Sequence, residues 1–241
     1  MPFTGPLQIE LQDVRTVSAT QQHKLGRVAY TNDGRVWRYG SAGAVALAPG
    51  KLAQIPAVIA NHQALVTVAA AIGARKVTVT LGGTAATADQ YKDGFLVVRD
   101  SVGAGQSLPI TGNSAQTVTT GNVDVYTDEA VATALTTASV TNLELPPYGG
   151  MLISTTADTT EAVMGVPQIS VPIANFGWFQ TQGVAAVLGN GTITKGAGVI
   201  KSATTAGATD IEATGTITQR VGTQLQTGTS AKYNTTLLTL S

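Results

Sequence analysis

The chain has 241 residues and is neutral overall, with 14 Lys or Arg against 14 Asp or Glu, and charged residues make up only 12%. Because it has no cysteine, disulfides and thiolate metal sites are excluded, and two histidines are too few for a histidine-rich zinc site. The sequence therefore predicts neither a metal nor a cofactor. A surface so poor in charge must carry hydroxyls and small side chains, which is typical of a subunit in an assembly or of a threonine-rich β-sandwich.

Charge is unevenly distributed along the chain. Residues 1–99 hold ten Lys or Arg against five Asp or Glu, a net +5, whereas residues 100–241 hold four against nine, a net −5. If the two halves stay separate after folding, copies of the chain could dock head to tail, or the basic half could bind an acidic partner. If folding brings positive and negative residues close together, this prediction does not apply.

The first 25 residues contain two early prolines and alternating polar positions, which predicts an extended arm. No basic region precedes an apolar run here, so we expect no secretion signal and synthesis in a cytoplasm. The longest weakly polar run, residues 64–74, is too short to cross a bilayer, so no membrane partner is predicted.

Residues 26–40, GRVAYTNDGRVWRYG, predict a β-hairpin, because a turn signal separates two apolar runs. Arginines alternate with aromatics here, and the candidate interface residues are Arg27, Arg35, Trp37, Arg38 and Tyr39. These residue types suit base stacking with phosphate contact, and they are also enriched as anchors of protein interfaces. Because the chain is neutral and the cluster small, a protein interface is the favoured prediction, and no nucleic-acid partner is expected.

The middle of the chain predicts short strands and one helix. Alternating β-branched residues predict strands at 76–81, 95–99, 108–111 and 122–126. Residues 61–73 favour a strand, with a helix over 63–72 as the alternative. Residues 127–139, TDEAVATALTTAS, are the best helical candidate, because a threonine can cap the first turn and two acidic residues follow it.

The sequence PPYGG at 146–150 is the strongest break in the chain. After it, residues 173–200 carry Trp178 and then Asn190-Gly191, which predicts a hairpin centred on that dipeptide. The predicted fold class is mainly β, with sandwich or barrel lobes and at most one or two short helices. The predicted division is an arm over 1–25, a β-rich lobe over 26–145 and a second over 151–241, unless the lobes form one continuous domain.

No catalytic motif is visible. The chain lacks a G-x-S-x-G nucleophile elbow, and the glycine-rich loop at 103–105 lacks the other residues of a phosphate-binding loop. Asp124, Asp128 and Glu129 form the densest acidic group, but their spacing does not match a calcium loop. The chain is therefore predicted not to be an enzyme, with no catalytic, cofactor-binding or metal-binding residues.

Four segments resemble, in order, the head decoration or cement proteins of tailed bacteriophages. They are GRVAYTNDGRVWRYGSAGAVALAPGKL at 26–52, DGFLVVRDSVGAGQSLPITGN at 93–113, LPPYGGMLIS at 145–154 and FGWFQTQGVAAVL at 176–188. The resemblance implies a β-rich virion structural protein that lies on the capsid surface, is made in the host bacterial cytoplasm and has no enzymatic role. Its implied partners are the major capsid protein and copies of itself, often as a homotrimer.

The resemblance supplies no motif residues, so the interface rests on the chemistry of the hairpin. Replacing Trp37 and Arg38 by alanine is accordingly predicted to weaken capsid binding without unfolding the protein. The alternative function is a phage tail or fibre component, or a glycan-binding recognition module. In the glycan-binding case, Tyr91, Tyr148 or Trp178 would be exposed as stacking platforms.

Overall fold

The computed structural model describes residues 7–157, 162–213 and 219–240. Within these ranges the regular structure is almost entirely β, which confirms the predicted fold class. The strands are β1 (Leu7–Gln8), β2 (Val28–Tyr30), β3 (Val36–Ser41), β4 (Ala53–Gln54), β5 (Leu65–Thr67), β6 (Lys76–Thr80), β7 (Phe95–Asp100), β8 (Ser107–Asn113), β9 (Asn122–Thr127), β10 (Val140–Glu144), β11 (Leu152–Ile153), β12 (Val163–Pro167), β13 (Phe176–Leu188), β14 (Gly198–Lys201), β15 (Thr209–Ile211), β16 (Arg220–Gln224) and β17 (Tyr233–Thr239). Two 3-10 helices span Asp13–Arg15 and Ala60–His62.

The chain divides into two compact units: unit 1 is Met1–Pro56 with Pro147–Ser241, and unit 2 is Ala57–Pro146. This differs from the predicted lobes at 26–145 and 151–241, because unit 2 is inserted within unit 1. The physical reason is a long-range pairing: β3 lies antiparallel to β13, although all of unit 2 separates them in sequence. Both crossings between the units fall at prolines, at Pro56 and at the Pro146-Pro147 pair.

Unit 2 is a closed six-stranded barrel in the order β10-β5-β6-β9-β8-β7. Every neighbouring pair is antiparallel, and closure leaves no free sheet edge. The alternation KVTVT in β6 shows how the sequence specifies the wall, since Val77 and Val79 are buried while Lys76 is exposed. The strand predicted within 61–73 is present as β5, and the alternative helix over 63–72 is wrong.

The helix predicted over 127–139 is also wrong. Thr127 is the last residue of β9, and the following segment crosses the end of the barrel as a loop. The backbone N–H groups of Val131 and Leu135 donate to the carbonyls of Ala74 and Ala70, both at 2.8 Å, and both side chains are buried. Residues four apart lie on one face of a helix, but here Val131 and Leu135 project from a loop and both side chains pack in the barrel core.

Unit 1 is built on a large sheet with the main strand order β1-β2-β3-β13-β17-β16-β14-β15, and β4, β11 and β12 join off this path. β13 is its central element, because β3 and β17 pair with it along almost its whole length. Alternation along β13 sends Trp178 and Phe179 into different hydrophobic clusters. One strand therefore contributes to two cores of unit 1.

The hairpin predicted around Asn190-Gly191 is wrong. The strands on either side, β13 and β14, do not pair with each other; β14 pairs with β15 and β16. Gly191 does adopt a positive φ of 74°, as a turn requires. The Asn-Gly signal thus marks a chain reversal, but the last seven residues of β13 pair with β17 and not with β14.

Residues 7–25, predicted to form an extended arm, pack on their own unit instead. β1 pairs in parallel with β2, Ser18 bridges to Phe176, and Val14 is buried beside Trp37 and Trp178. The first six residues of the predicted arm lie outside the described ranges. Leu7, Ile9 and Val14 supply the apolar contacts that dock this segment.

Folding redistributes the charge polarity of the sequence. Unit 1 holds ten Lys or Arg against seven Asp or Glu, a net +3, and unit 2 holds four against seven, a net −3. The contrast between the units is weaker than the contrast between the two stretches of sequence. Among the described residues, no helix is long and apolar enough to cross a membrane.

Candidate binding surfaces

The hairpin that carries the five predicted interface residues forms as expected. β2 and β3 pair antiparallel, and Gly34 has a positive φ of 82° in the turn. The Asp33 carboxylate accepts hydrogen bonds from the Thr31 hydroxyl and the Arg35 Nε, both at 2.6 Å. The hydrogen bond from Thr31, followed by those from Arg35, lowers the pKa of Asp33. The turn therefore fixes Arg35 in place.

Trp37 and Tyr39 are core residues, not exposed anchors. Trp37 is 0% exposed, and its indole N–H donates to the Thr31 hydroxyl at 3.2 Å. Tyr39 is 3% exposed; its ring stacks on Phe176 with centroids 6.1 Å apart and meets Trp178 edge-on at 5.1 Å. The two aromatics are therefore not exposed as predicted, because β13 covers them, and replacing Trp37 together with Arg38 is now expected to destabilise the fold.

The three arginines are half-buried and engaged within unit 1. Arg35 pairs with Asp33 and lies 5.2 Å from the Trp37 ring centroid. Arg38 donates from Nη1 to the Gly26 carbonyl at 3.2 Å and lies over the Tyr148 ring. Arg27 Nη1 lies 3.5 Å from His23 Nδ1. The structure thus brings the predicted residues together, where they support the hairpin.

The aromatics named for glycan stacking are buried as well. Tyr91 belongs to the barrel core, and Tyr148 and Trp178 belong to clusters of unit 1. Burial raises the pKa of the Tyr148 hydroxyl, while the nearby Arg38 opposes this shift. None of the three presents an open ring face on which a sugar could stack.

A surface that the sequence did not predict lies on one face of the large sheet, and we call it the outer sheet face. Three neighbouring strands, β13, β16 and β17, form this face, together with Leu225, which follows β16 directly. The residues are Val184, Ala186, Thr223, Leu225, Tyr233, Thr235 and Leu237. Val184 lies directly opposite Leu237, which in turn lies opposite Thr223, and Ala186 lies opposite Thr235. The opposite face buries Ala185, Val187 and Leu238 in a core.

The outer sheet face is mostly apolar, with two threonines among its seven residues, and Arg220 borders it with Nη2 3.4 Å from the Thr223 hydroxyl. Val184 is 49% exposed and Tyr233 is 56% exposed, and none of its seven residues is charged. Alternating buried and exposed residues along β13 and β17 indicate that each strand has one exposed side. Only the pairing register shows that the exposed residues of the two strands lie beside each other on the same face.

A second surface feature is a cleft of about 340 Å³ between the N-terminal segment and the aromatic cluster of unit 1. Glu10 and Asp13 line it together with His23, Tyr39, Phe176 and Trp178. The His23 ring lies edge-on to Tyr39 at 5.1 Å and 5.4 Å from Trp178. Burial, and then the charge of Arg27, lowers the pKa of His23. The Tyr39 hydroxyl accepts from the Gln22 N–H at 3.0 Å.

The described ranges contain no group of three or more His, Asp or Glu side chains placed to hold a metal ion. Of the acidic residues singled out in the sequence, Asp124 is held by the Thr78 hydroxyl at 2.6 Å and by Lys76 at 3.2 Å. The hydrogen bond from Thr78 is the main cause that lowers the pKa of Asp124. Asp124 therefore belongs to a polar cross-strand contact on the barrel wall.

Comparisons with known proteins do not extend this description: no protein family, curated protein or solved structure matches the chain. The four resembling segments can nevertheless be placed on the fold. Three of them meet in unit 1, since β3 pairs with β13 and the Ser41 N–H donates to the Tyr148 carbonyl at 2.9 Å. The segment at 93–113 contributes β7 and β8 of the barrel.

Proposed function

We propose that this chain is a non-enzymatic virion structural protein that binds the outside of a tailed-phage capsid and stabilises the assembled head. The observation that carries the proposal is the outer sheet face, which offers exposed apolar side chains and no charged residue among its seven members. Four sequence segments that resemble head decoration proteins support it. The proposed partners are the major capsid protein and further copies of the chain, as a homotrimer.

The chemistry of the outer sheet face suits a permanent contact. Burying Val184, Leu225, Tyr233 and Leu237 removes apolar area from water, which contributes about 25 cal/mol per Å² before the losses of association. Threonine and alanine between them lose little side-chain entropy on ordering, and the guanidinium of Arg220, which borders the face, is already paired with Glu212. Such a face packs closely against a neighbour with little ordering penalty.

Stabilisation of the head follows from mass action. A protein that binds only the assembled, expanded lattice stabilises that state in proportion to the logarithm of one plus its concentration over the dissociation constant. Copies joined in an oligomer bind several lattice sites at once, which raises their effective concentration. Modest contacts on each copy therefore suffice to hold the shell against the pressure of packaged DNA.

The test is co-sedimentation of the purified protein with expanded heads that were assembled without it. We expect a fixed number of copies per capsomer in the head fraction. Val184→Glu with Leu237→Lys should abolish this binding while the protein stays folded, because both side chains are exposed and opposite charges at directly opposed strand positions do not repel each other. If the variant unfolds at the same temperature as the wild type, its loss of binding is not caused by misfolding and is assigned to the changed surface.

The matched control is Val118→Glu, which places a new carboxylate at an exposed valine of unit 2. We expect this variant to bind heads as the wild type does. Heads that recruit no wild-type protein would end the capsid proposal. Heads that bind the doubly substituted protein as well as the wild type would remove the outer sheet face from the contact.

A further inference from the structure

The cleft beside the N-terminal segment has a definite charge. Glu10 and Asp13 line it, and no lysine or arginine does. The ion pairs among the described residues are Asp33 with Arg35, Asp124 with Lys76 and Glu212 with Arg220, so neither cleft carboxylate has a cationic partner. The remaining titratable group that could compensate, His23, stays neutral near pH 7 because its pKa is lowered. Arg27 does not line the cleft but lies against its rim, with Nη1 3.5 Å from His23 Nδ1, so two carboxylates face one nearby guanidinium and the cleft is net negative by one charge.

The walls of the cleft reinforce this preference. Tyr39, Phe176 and Trp178 form a weakly polar wall, and charges attract more strongly beside such a wall than in open water. Because Tyr39 and Trp178 are at most 4% exposed, the wall offers no flat platform for a sugar ring. A slender charged side chain needs much less open ring surface.

We propose that this cleft binds the side chain of a lysine or arginine presented by a protein partner. Its volume of about 340 Å³ lies at the lower end of the range for ligand sites, which suits a single long side chain. The ammonium or guanidinium group pairs with Glu10 and Asp13, and the aliphatic stem lies along the aromatic wall. Anions are repelled, and an apolar ligand would leave two carboxylates partly desolvated without a partner.

The chain itself offers such side chains. Lys24, Lys195 and Lys232 are exposed and take part in none of the ion pairs of the described residues. A contact that joins the cleft of one copy to a lysine elsewhere on the next copy is head-to-tail, and repeated contacts of this kind form a ring if the rotation between copies closes and a filament if it does not. A basic segment of the capsid protein would provide the same chemistry. The inference does not depend on the capsid proposal, because the cleft can be tested on the free protein.

The first experiment titrates the full-length protein with butylguanidinium and with butylammonium at constant chloride, observed by NMR of the two tryptophan indole N–H groups. Trp178 lines the cleft, while Trp37 is buried and hydrogen-bonded to Thr31, so it serves as an internal reference. We expect a saturable shift of the Trp178 signal with little change at Trp37. 1-Butanol and glucose, as uncharged probes, should leave Trp178 unchanged.

Glu10→Gln with Asp13→Asn should weaken this binding at least tenfold, because it removes both charges and keeps the side-chain shapes. Asp128→Asn with Glu129→Gln is the matched control, with the same chemical change at exposed positions of unit 2, and should bind as the wild type. The proposal is overturned if no cation shifts Trp178, if an uncharged probe shifts it equally, or if the cleft variant binds like the wild type.

A second experiment identifies the source of the cation. Sedimentation velocity and head co-sedimentation are compared for the wild type and for Glu10→Gln with Asp13→Asn. Loss of self-association assigns the cation to another copy, and loss of head binding with intact self-association assigns it to the capsid protein. A variant that keeps both properties contradicts a role of the cleft in protein contacts. Wild-type protein that does not bind heads defeats only the capsid proposal, since the probe titration stands apart from it.

Discussion

At the scale of single residues, the most informative side chain is Trp37. It is fully buried between two elements, and its indole N–H is satisfied by Thr31. We expect Trp37→Ala to lower the free energy of unfolding by about 3–5 kcal/mol, since it removes a large core side chain and leaves a cavity. Urea unfolding followed by circular dichroism measures this loss.

The control for Trp37 is Tyr30→Ala, which removes an aromatic ring that is 44% exposed on the neighbouring strand β2. Its effect should stay well below that of Trp37→Ala. Equal effects of the two substitutions would mean that Trp37 is not part of the core.

Tyr91 gives the barrel a dependence on alkaline pH. Its hydroxyl contacts His62 Nδ1, while His62 Nε2 lies 2.9 Å from the Thr84 carbonyl. Because a carbonyl only accepts, Nε2 carries the proton and Nδ1 accepts from Tyr91. Burial, and then the charge of Glu144, raises the pKa of Tyr91. The folded protein therefore keeps this proton at pH values where the unfolded chain, with a pKa of about 10, releases it.

The sign follows from proton linkage. Above a pH of about 10 the unfolded state binds fewer protons than the folded state, so the free energy of unfolding falls as pH rises. Tyr91→Phe should be less stable than the wild type by about 1–3 kcal/mol at pH 7, because His62 Nδ1 loses its donor. It should lose less stability than the wild type between pH 9 and 11. Tyr126→Phe, at an exposed tyrosine, should follow the wild-type pH profile; identical profiles for all three proteins would refute the assignment.

At the scale of elements, the close approach of β16 to β17 depends on Gly222. A Cβ at this position would overlap the Leu237 carbonyl oxygen and lie 2.9 Å from the Leu237 carbonyl carbon and 3.1 Å from the Leu238 Cα. These are backbone atoms that cannot rotate away, so Gly222→Ala should cost about 1–3 kcal/mol in unfolding free energy. Because both strands carry the outer sheet face, head binding should weaken too. Thermal unfolding and co-sedimentation measure the two effects.

Gly177 provides the comparison for Gly222, because a Cβ there meets its nearest atom, on Val171, at 3.4 Å. Gly177→Ala on β13 should therefore fold and bind heads normally. If both alanine variants behaved alike, strand spacing at Gly222 would not be limiting.

The sequence alone predicted some elements correctly and others wrongly, according to whether local pattern or long-range pairing determines them. Alternating stretches such as KVTVT and NVDVY predicted β6 and β9 correctly, because local alternation is sufficient for a half-buried strand. The helix prediction over 127–139 was wrong because the four-residue spacing of Val131 and Leu135 is compatible with a helix and also with a loop that buries both side chains in the barrel core. Their actual partners, Ala70 and Ala74, lie far away in sequence.

The candidate site was missed for a related reason. Trp37 and Tyr39 were predicted to be exposed because only their own strand was considered, whereas Phe176 and Trp178 on β13 cover them. The outer sheet face arises from the register between Val184 and Leu237, which no local pattern specifies. Long-range pairing, not residue type, decided which side chains remain available for binding.

At the scale of the whole molecule, three surface features of the described residues bear on the proposed assembly. These are the neutral outer sheet face and the acidic cleft of unit 1, and the wall of the barrel in unit 2. The outer sheet face is exposed and holds no charged residue among its seven members, so it is the surface proposed to meet the capsid. A basic side chain of the partner bound in the cleft would then fix the orientation in which the protein binds the capsid.

The most direct test of this account is electron cryomicroscopy of expanded heads decorated with the wild-type protein, at a resolution that distinguishes the strands. We expect Val184, Leu237 and their neighbours on the outer sheet face to be buried against the capsid protein in every bound copy. Bound copies that leave this face open to solvent and contact the shell through another surface would contradict this expectation.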